Sequence, residues 1–155
     1  MIELNPFFQS EAMCGPASLK IMLAHYGKDF SEEELAALCD STIDKGTSHR
    51  GLIKGAKKLG FSVIEKENAT LEELSRFIQQ STPVIVGWWS TDENHYSVAY
   101  GIDKENIYLM DPEEEGGKVA MKITDFNEVW HDFDSARGVE VNHWMMAILP
   151  QEATA

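Results

Sequence analysis

The sequence predicts an α+β fold of one domain spanning residues 1–155, with N-terminal helices packed on a C-terminal antiparallel sheet. Three observations carry that expectation. Apolar residues recur at helical spacing up to about residue 80, and short apolar runs between polar turns take over from Pro83. A chain of 155 residues, 43% of them hydrophobic, suffices for one core and is short for two. Helices first and strands second is the order of an α+β chain with segregated elements.

The elements follow in turn. Between Cys14 and Tyr26, the residues Leu19, Met22, Leu23 and Tyr26 share one helical face, Pro16 suits the first turn and Gly27 ends the helix. Ser31-Glu-Glu-Glu34 has the form of a capping box and opens a second short helix through Leu35, Leu38 and Cys39. Gly51 to Leu59 reads as a third helix, ended by Gly60 and weakened by Gly55, and Phe61 to Lys66 alternates like a strand. Thr70-Leu-Glu-Glu73 is another capping box, opening a helix to about Gln80. A meander is expected next, with strands at Pro83–Trp89, His95–Gly101, Ile107–Met110 and Lys118–Ile123. Thr124 to Trp130 reads as a helical turn or two capped by Thr124 or Asp125, and Asn142 to Leu149 as a last strand closing the sheet.

A net charge of −13 repels phosphate backbones and anionic surfaces, so neither nucleic acid nor a membrane is an expected partner. The basic group His49, Arg50, Lys54, Lys57 and Lys58 reads as a solvated helix face. The longest apolar runs, Pro83–Trp89 and Trp144–Pro150, fall far short of the roughly 20 residues that span a bilayer, and the N-terminus carries no secretory signal. Two widely separated cysteines cannot build a thiolate zinc site and read as free thiols of a reducing, cytoplasmic compartment. With no HExxH, no CxxC and no glycine-rich phosphate loop, no metal or cofactor is expected.

A nucleophilic cysteine needs thiolate character, access and an oriented base. Cys14 lies at the expected start of a helix, where unpaired amides and the positive end of the dipole favour an anion, and Gly15 lets a substrate approach. The alternative for any lone cysteine is a small buried hydrophobe, the reading kept for Cys39. Among the histidines, strand geometry selects His95. A hairpin reversing around Asp103–Asn106 puts it opposite Asp111 or within a residue or two, so the carboxylate can orient a ring whose other nitrogen faces the thiol. The same spacing also fits a pair that only fastens a hairpin. His25, His49, His131 and His143 read as surface or structural. Attack on an amide further requires donors at the oxyanion, and Gln9 with the Cys14 backbone N–H can supply them. Of Trp88 and Trp89, adjacent on a strand and so facing opposite ways, one is available to line a substrate cleft, core packing of both being the alternative. Gly15, Trp88, Trp89 and Asn94 are the candidate substrate contacts.

Read together, Gln9-Ser-Glu-Ala-Met-Cys14-Gly15-Pro16-Ala17, His95-Tyr96-Ser-Val-Ala-Tyr-Gly101 and Tyr108-Leu-Met-Asp111-Pro112 resemble the bacteriocin-processing, double-glycine cysteine peptidases, cysteine-peptidase family 39 of the papain-like group. The resemblance runs from about Phe7 to Trp130. It implies a papain-like fold and thiol-dependent cleavage of a peptide bond in a peptide or protein substrate, with Gln9 in the oxyanion hole, Cys14 attacking, His95 moving the proton and Asp111 orienting it. Four residues separate Gln9 from Cys14, one fewer than is usual in that family. No membrane-spanning or nucleotide-binding segment follows here, so the expectation is a peptidase uncoupled from transport. A catalytically silent peptide-binding module, or an acyl transferase similar to phytochelatin synthase, are the alternatives.

Overall fold

The structure, a computed structural model, describes residues 1–151. Its first helix, α1 (Cys14–His25), stops at Gly27, whose φ of 74° lets its own amide and that of Lys28 return to the Ala24 and Leu23 carbonyls at 3.0 Å. Both expected capping boxes form. Ser31 and Glu34 open α2 (Glu32–Leu38), and Thr70 and Glu73 open α4 (Leu71–Gln79), each pair exchanging side-chain and backbone bonds. Between them lies α3 (His49–Lys58), capped by Ser48. A Cβ added at Gly51 would run into the Cys39 carbonyl, and one at Gly55 would sit 2.5 Å from the Cys39 sulfur. The glycine that costs α3 helix propensity is thus what lets it lie against the end of α2.

The strands are β1 (Phe61–Lys66), β2 (Val84–Ser90), β3 (Glu93–Ile102), β4 (Asn106–Met110) and β5 (Lys118–Lys122). After a short α5 (Ile123–Val129) come a hairpin of β6 (His131–Asp134) and β7 (Val139–Asn142), then β8 (Trp144–Pro150). Six of them form one antiparallel sheet in the order β1-β8-β2-β3-β4-β5, with β6 and β7 a separate ribbon. The meander from β2 to β5 is as expected, but the last strand does not close an edge. It inserts between β1 and β2, pairing Ala147 with Ile64 and Met146 with Ile85. Its pattern explains the position: Trp144 to Ile148 are all buried, so the run is apolar on both faces, which suits a covered central strand.

Two boundaries differ from expectation. The α5 helix starts at Ile123 with Lys122 as an N-cap making no side-chain bond, so neither Thr124 nor Asp125 caps it. The segment read as one final strand is divided at His143, whose φ of 53° turns the chain between β7 and β8. Helices α1 and α4 pack on β3, and α3 on β1, around a single apolar core that includes Leu19, Met22, Val98, Leu109, Phe126 and Trp144. This packing sets the first turn of α1 against the start of β3.

Candidate active site

Cys14 is the first residue of α1, and its N-cap, Met13, makes no side-chain cap bond, so the amides of the opening turn are not taken up by a capping side chain. The short loop before it turns through Ala12, held at a φ of 63°. The thiol is half-buried. On β3, His95 is 3% exposed and donates or accepts through Nε2 at 2.6 Å from Asp111 Oδ1, just past the end of β4. In the register, Val98 faces Met110, which sets Asp111 across from the residue two places beyond His95, on the same face of the pleat.

Asp111 is itself fixed. Its amide bonds the Gly117 carbonyl at 2.7 Å, and its Oδ1 also accepts from the Glu113 amide at 3.0 Å. Pro112 accepts a bond from the Gln9 amide at 2.8 Å, which fastens the loop carrying Gln9 to the loop carrying Asp111. The Gln9 side chain donates from Nε2 to the Ser10 carbonyl at 3.2 Å, and its Oε1 is buried without a partner. Burial works to lower the pKa of His95, but hydrogen bonds to Asp111 and Cys14, with the charges of both, outweigh it and raise the imidazole to about 10.

Gln9, Cys14 and His95 open on one cleft of about 650 Å³, walled also by Thr47, Tyr96, Glu113 and Phe133. Asn94 lies on this wall, yet both ends of its amide engage Phe133, accepting from its N–H at 2.8 Å and donating to its carbonyl at 2.9 Å. It therefore clamps the β6–β7 ribbon to the mouth of the cleft. The other three expected substrate contacts stand elsewhere. Gly15 is buried with its missing Cβ facing the Thr47 side chain, where an added carbon would lie 2.7 Å from Thr47 Cβ. Trp88 is buried behind the site, its ring in a T-shaped contact with that of His95 at 5.3 Å between centroids and its Nε1 donating to Ser97 Oγ at 3.0 Å, so it shields the histidine. Trp89, on the opposite face of the strand, stacks on His131 at 6.0 Å.

His49 is a correction. It does not join Arg50, Lys54, Lys57 and Lys58 on the exposed face of α3 but is 3% exposed, with Nε2 2.6 Å from Asp132 Oδ2 and its ring stacked 4.0 Å from that of Trp144. A helix of 10 residues with a buried stripe needs something at its inner first position, and a paired histidine fills it. Sequence reasoning also missed Thr47, Glu113 and Phe133. Glu113 lies in the connection between β4 and β5, where no motif marks it, and no spacing rule connects Thr47 to Gly15. Among the described residues no cluster of three or more histidine, cysteine or acidic groups could hold a metal ion.

Residues 7–133 match the Peptidase C39 family. The chain belongs to that family. It is 30% identical over 125 residues to the lactococcin-G-processing and transport ATP-binding protein LagD of Lactococcus lactis, a match covering 79% of this chain and 17% of LagD. The chain thus spans about a sixth of such relatives' length. The solved peptidase domain of Streptococcus ComA, described as a bifunctional ABC transporter of a quorum-sensing pathway, superposes with a TM-score of 0.75 at 26% identity, covering 97% of this chain and 100% of that one. A double glycine motif protease from an AMS/PCAT transporter, solved with a leader peptide, superposes equally well, with a TM-score of 0.75 at 23% identity and coverage of 96% and 93%. The fold is therefore the α+β, papain-like fold of C39 peptidase domains, and the family is one of cysteine peptidases. No described helix is long and apolar enough to cross a membrane. The relatives are nonetheless parts of transport proteins, so the expected independence from membranes draws no support from them.

Proposed function

We propose that this chain, acting as a single peptidase-like domain, cleaves a peptide bond through Cys14, His95 and Asp111, with Gln9 and the Cys14 amide stabilising the oxyanion. The observation that carries this reading is the convergence of Gln9, Cys14 and His95 on one cleft while Asp111 holds the far side of the imidazole. With Nε2 on Asp111, it is Nδ1 that serves the sulfur. The charges of Asp111 and Cys14 beside the ring favour the imidazolium at His95, and it is the thiolate form of a cysteine that attacks. The carbon–sulfur bond forms as the carbonyl oxygen gains negative charge. The Cys14 amide meets that charge, joined by Gln9 Nε2 once it leaves the Ser10 carbonyl. Nδ1 then gives its proton to the leaving amine, the carbon–nitrogen bond breaks, and water, deprotonated by the same nitrogen, releases the acyl group from Cys14.

The substrate we assign is an extended peptide of leader type with a pair of glycines before the cut. A cleft whose rim carries the exposed side chains Phe8, Ile43 and Phe133 suits a ligand bearing apolar residues, and the structural relative solved with a leader peptide supports the class. Both cysteines are free thiols, which suits a reducing compartment such as the cytoplasm or the cytoplasmic face of a membrane.

The test is digestion of synthetic leader-type peptides containing Gly-Gly, followed by mass spectrometry. Cleavage after the second glycine by the wild type and none by Cys14→Ala is expected. Peptides left intact by wild-type protein whose Cys14 is shown to be alkylatable would end the hydrolase reading.

A further inference from the structure

Glu113 follows Asp111 by two residues, and its backbone is tied to the same carboxylate oxygen that holds His95. Its side chain turns back toward the imidazole. Glu113 Oε2 lies 3.5 Å from His95 Nδ1, the nitrogen left free by Asp111, and the side chain is 54% exposed on the cleft wall. No other cation among the described residues lies within ion-pairing distance of Glu113.

Where that charge stands relative to the chemistry follows from one requirement. A leaving nitrogen that takes a proton from Nδ1 must come within about 3.2 Å of it. A carboxylate oxygen 3.5 Å from the same Nδ1 is then at most about 7 Å from the leaving nitrogen, inside the reach of a lysine or arginine side chain on the first residue of the departing fragment. We propose that Glu113 is a specificity-determining residue that selects a basic side chain immediately after the scissile bond, an assignment that rests on the hydrolase reading above. The cleft reinforces the preference, because apart from Cys14 and His95 its other charged wall residues are Glu11, Asp44 and Glu93 against Lys45. Opposite unit charges about 6 Å apart at the screening of a protein surface favour the pairing by roughly tenfold.

Three peptides identical up to Gly-Gly and continuing with Lys, Ala or Glu test it. Wild type should cut the Lys peptide with kcat/KM about tenfold above Ala, and the Glu peptide most slowly. In Glu113→Gln the Lys-to-Ala ratio should fall to within about twofold, and in Glu113→Lys the order should invert. A carboxylate that acts only on His95 would change all three peptides alike, so an unaltered ratio in Glu113→Gln overturns the proposal.

A second measurement needs no turnover. Rates of Cys14 modification by a cationic and an anionic methanethiosulfonate give a ratio that should drop several-fold in Glu113→Gln and less in Glu93→Gln, with buried Cys39 as the unreacted internal control. Equal drops in the two variants, or none in either, overturn the assignment. If no peptide is cut while the ratio falls only in Glu113→Gln, the hydrolase reading is lost and the cation preference of the site stands.

Discussion

Two histidine–aspartate pairs lie in this fold at the same 2.6 Å separation, His95 with Asp111 and His49 with Asp132, and each histidine is 3% exposed. What differs is the surroundings of the second ring nitrogen. His95 Nδ1 looks into a cleft shared with a thiol, whereas His49 Nδ1 has no hydrogen-bond partner, its nearest acid being Asp134 Oδ2 at 3.9 Å, and the ring is covered by Trp144. A carboxylate orients an imidazole equally well in either place. Covalent chemistry needs, in addition, a nucleophile and room for a substrate, and of these two pairs it is His95–Asp111 that has a thiol and a cleft beside it.

Substitutions should separate the two pairs. Cys14→Ala removes the proposed nucleophile and should abolish cleavage outright, measured by product formation. His95→Ala should lower kcat/KM by about 10² to 10⁴, the usual worth of a positioned acid–base group, with the fold retained in circular dichroism. His49→Ala should act the other way round. It leaves Asp132 buried and unpaired, so chemical denaturation should show a loss of about 3–5 kcal/mol while turnover per folded molecule stays within a few-fold of wild type. Turnover lost in both variants to the same degree would break the distinction.

A smaller effect is expected at Gly87 on β2, where an added Cβ would strike Asp132 Oδ2. Gly87→Ala should cost about 1–3 kcal/mol in the same assay, mimicking part of the His49 defect.

The weakest effect is on pH dependence. The pKa of folded His95, about 10, stands above the ordinary 6.5, so the stability its ionised form contributes is complete below pH 6.5 and fades as pH rises toward 10. Denaturation midpoints of wild type should decline over that window more than those of His95→Gln, and the alkaline limb of kcat/KM should sit near 10 instead of near 6.5.

The pairing of His95 with Asp111 was legible because it needs only a hairpin: one turn and a period of two place the residues, and the Asp103–Asn106 reversal formed where expected, the Asp103 amide bonding the Asn106 carbonyl at 2.9 Å. Both capping boxes were legible for a similar reason, being contacts between residues three apart. The pair of His49 and Asp132 joins residues 83 apart, and no local pattern announces it. A histidine among lysines on a helix carries a charged face in any sequence-based reading, and only the packed partner reveals its inward side. Cys39 and Gly55 show the same limit. Burial, with the nearby Asp40 charge, pushes the Cys39 thiol up to about 12, as expected of a hydrophobe, while the glycine that accommodates it read merely as a weak point in a helix. Trp88 and Trp89 were legible as facing opposite ways; which of them would approach His95 depended on the β2–β3 register, which sets Trp88 across from it.

The place of β8 bears on biosynthesis. Because the strand at Trp144–Pro150 separates β1 from β2, a nascent chain that has not yet delivered those residues holds two sheet edges apart with nothing to join them. Pairings such as Phe61 with Pro150 close loops of nearly ninety residues, the kind of contact that forms late and slowly. Residues through Trp144–Pro150 must therefore be in place before the sheet that carries His95 can close.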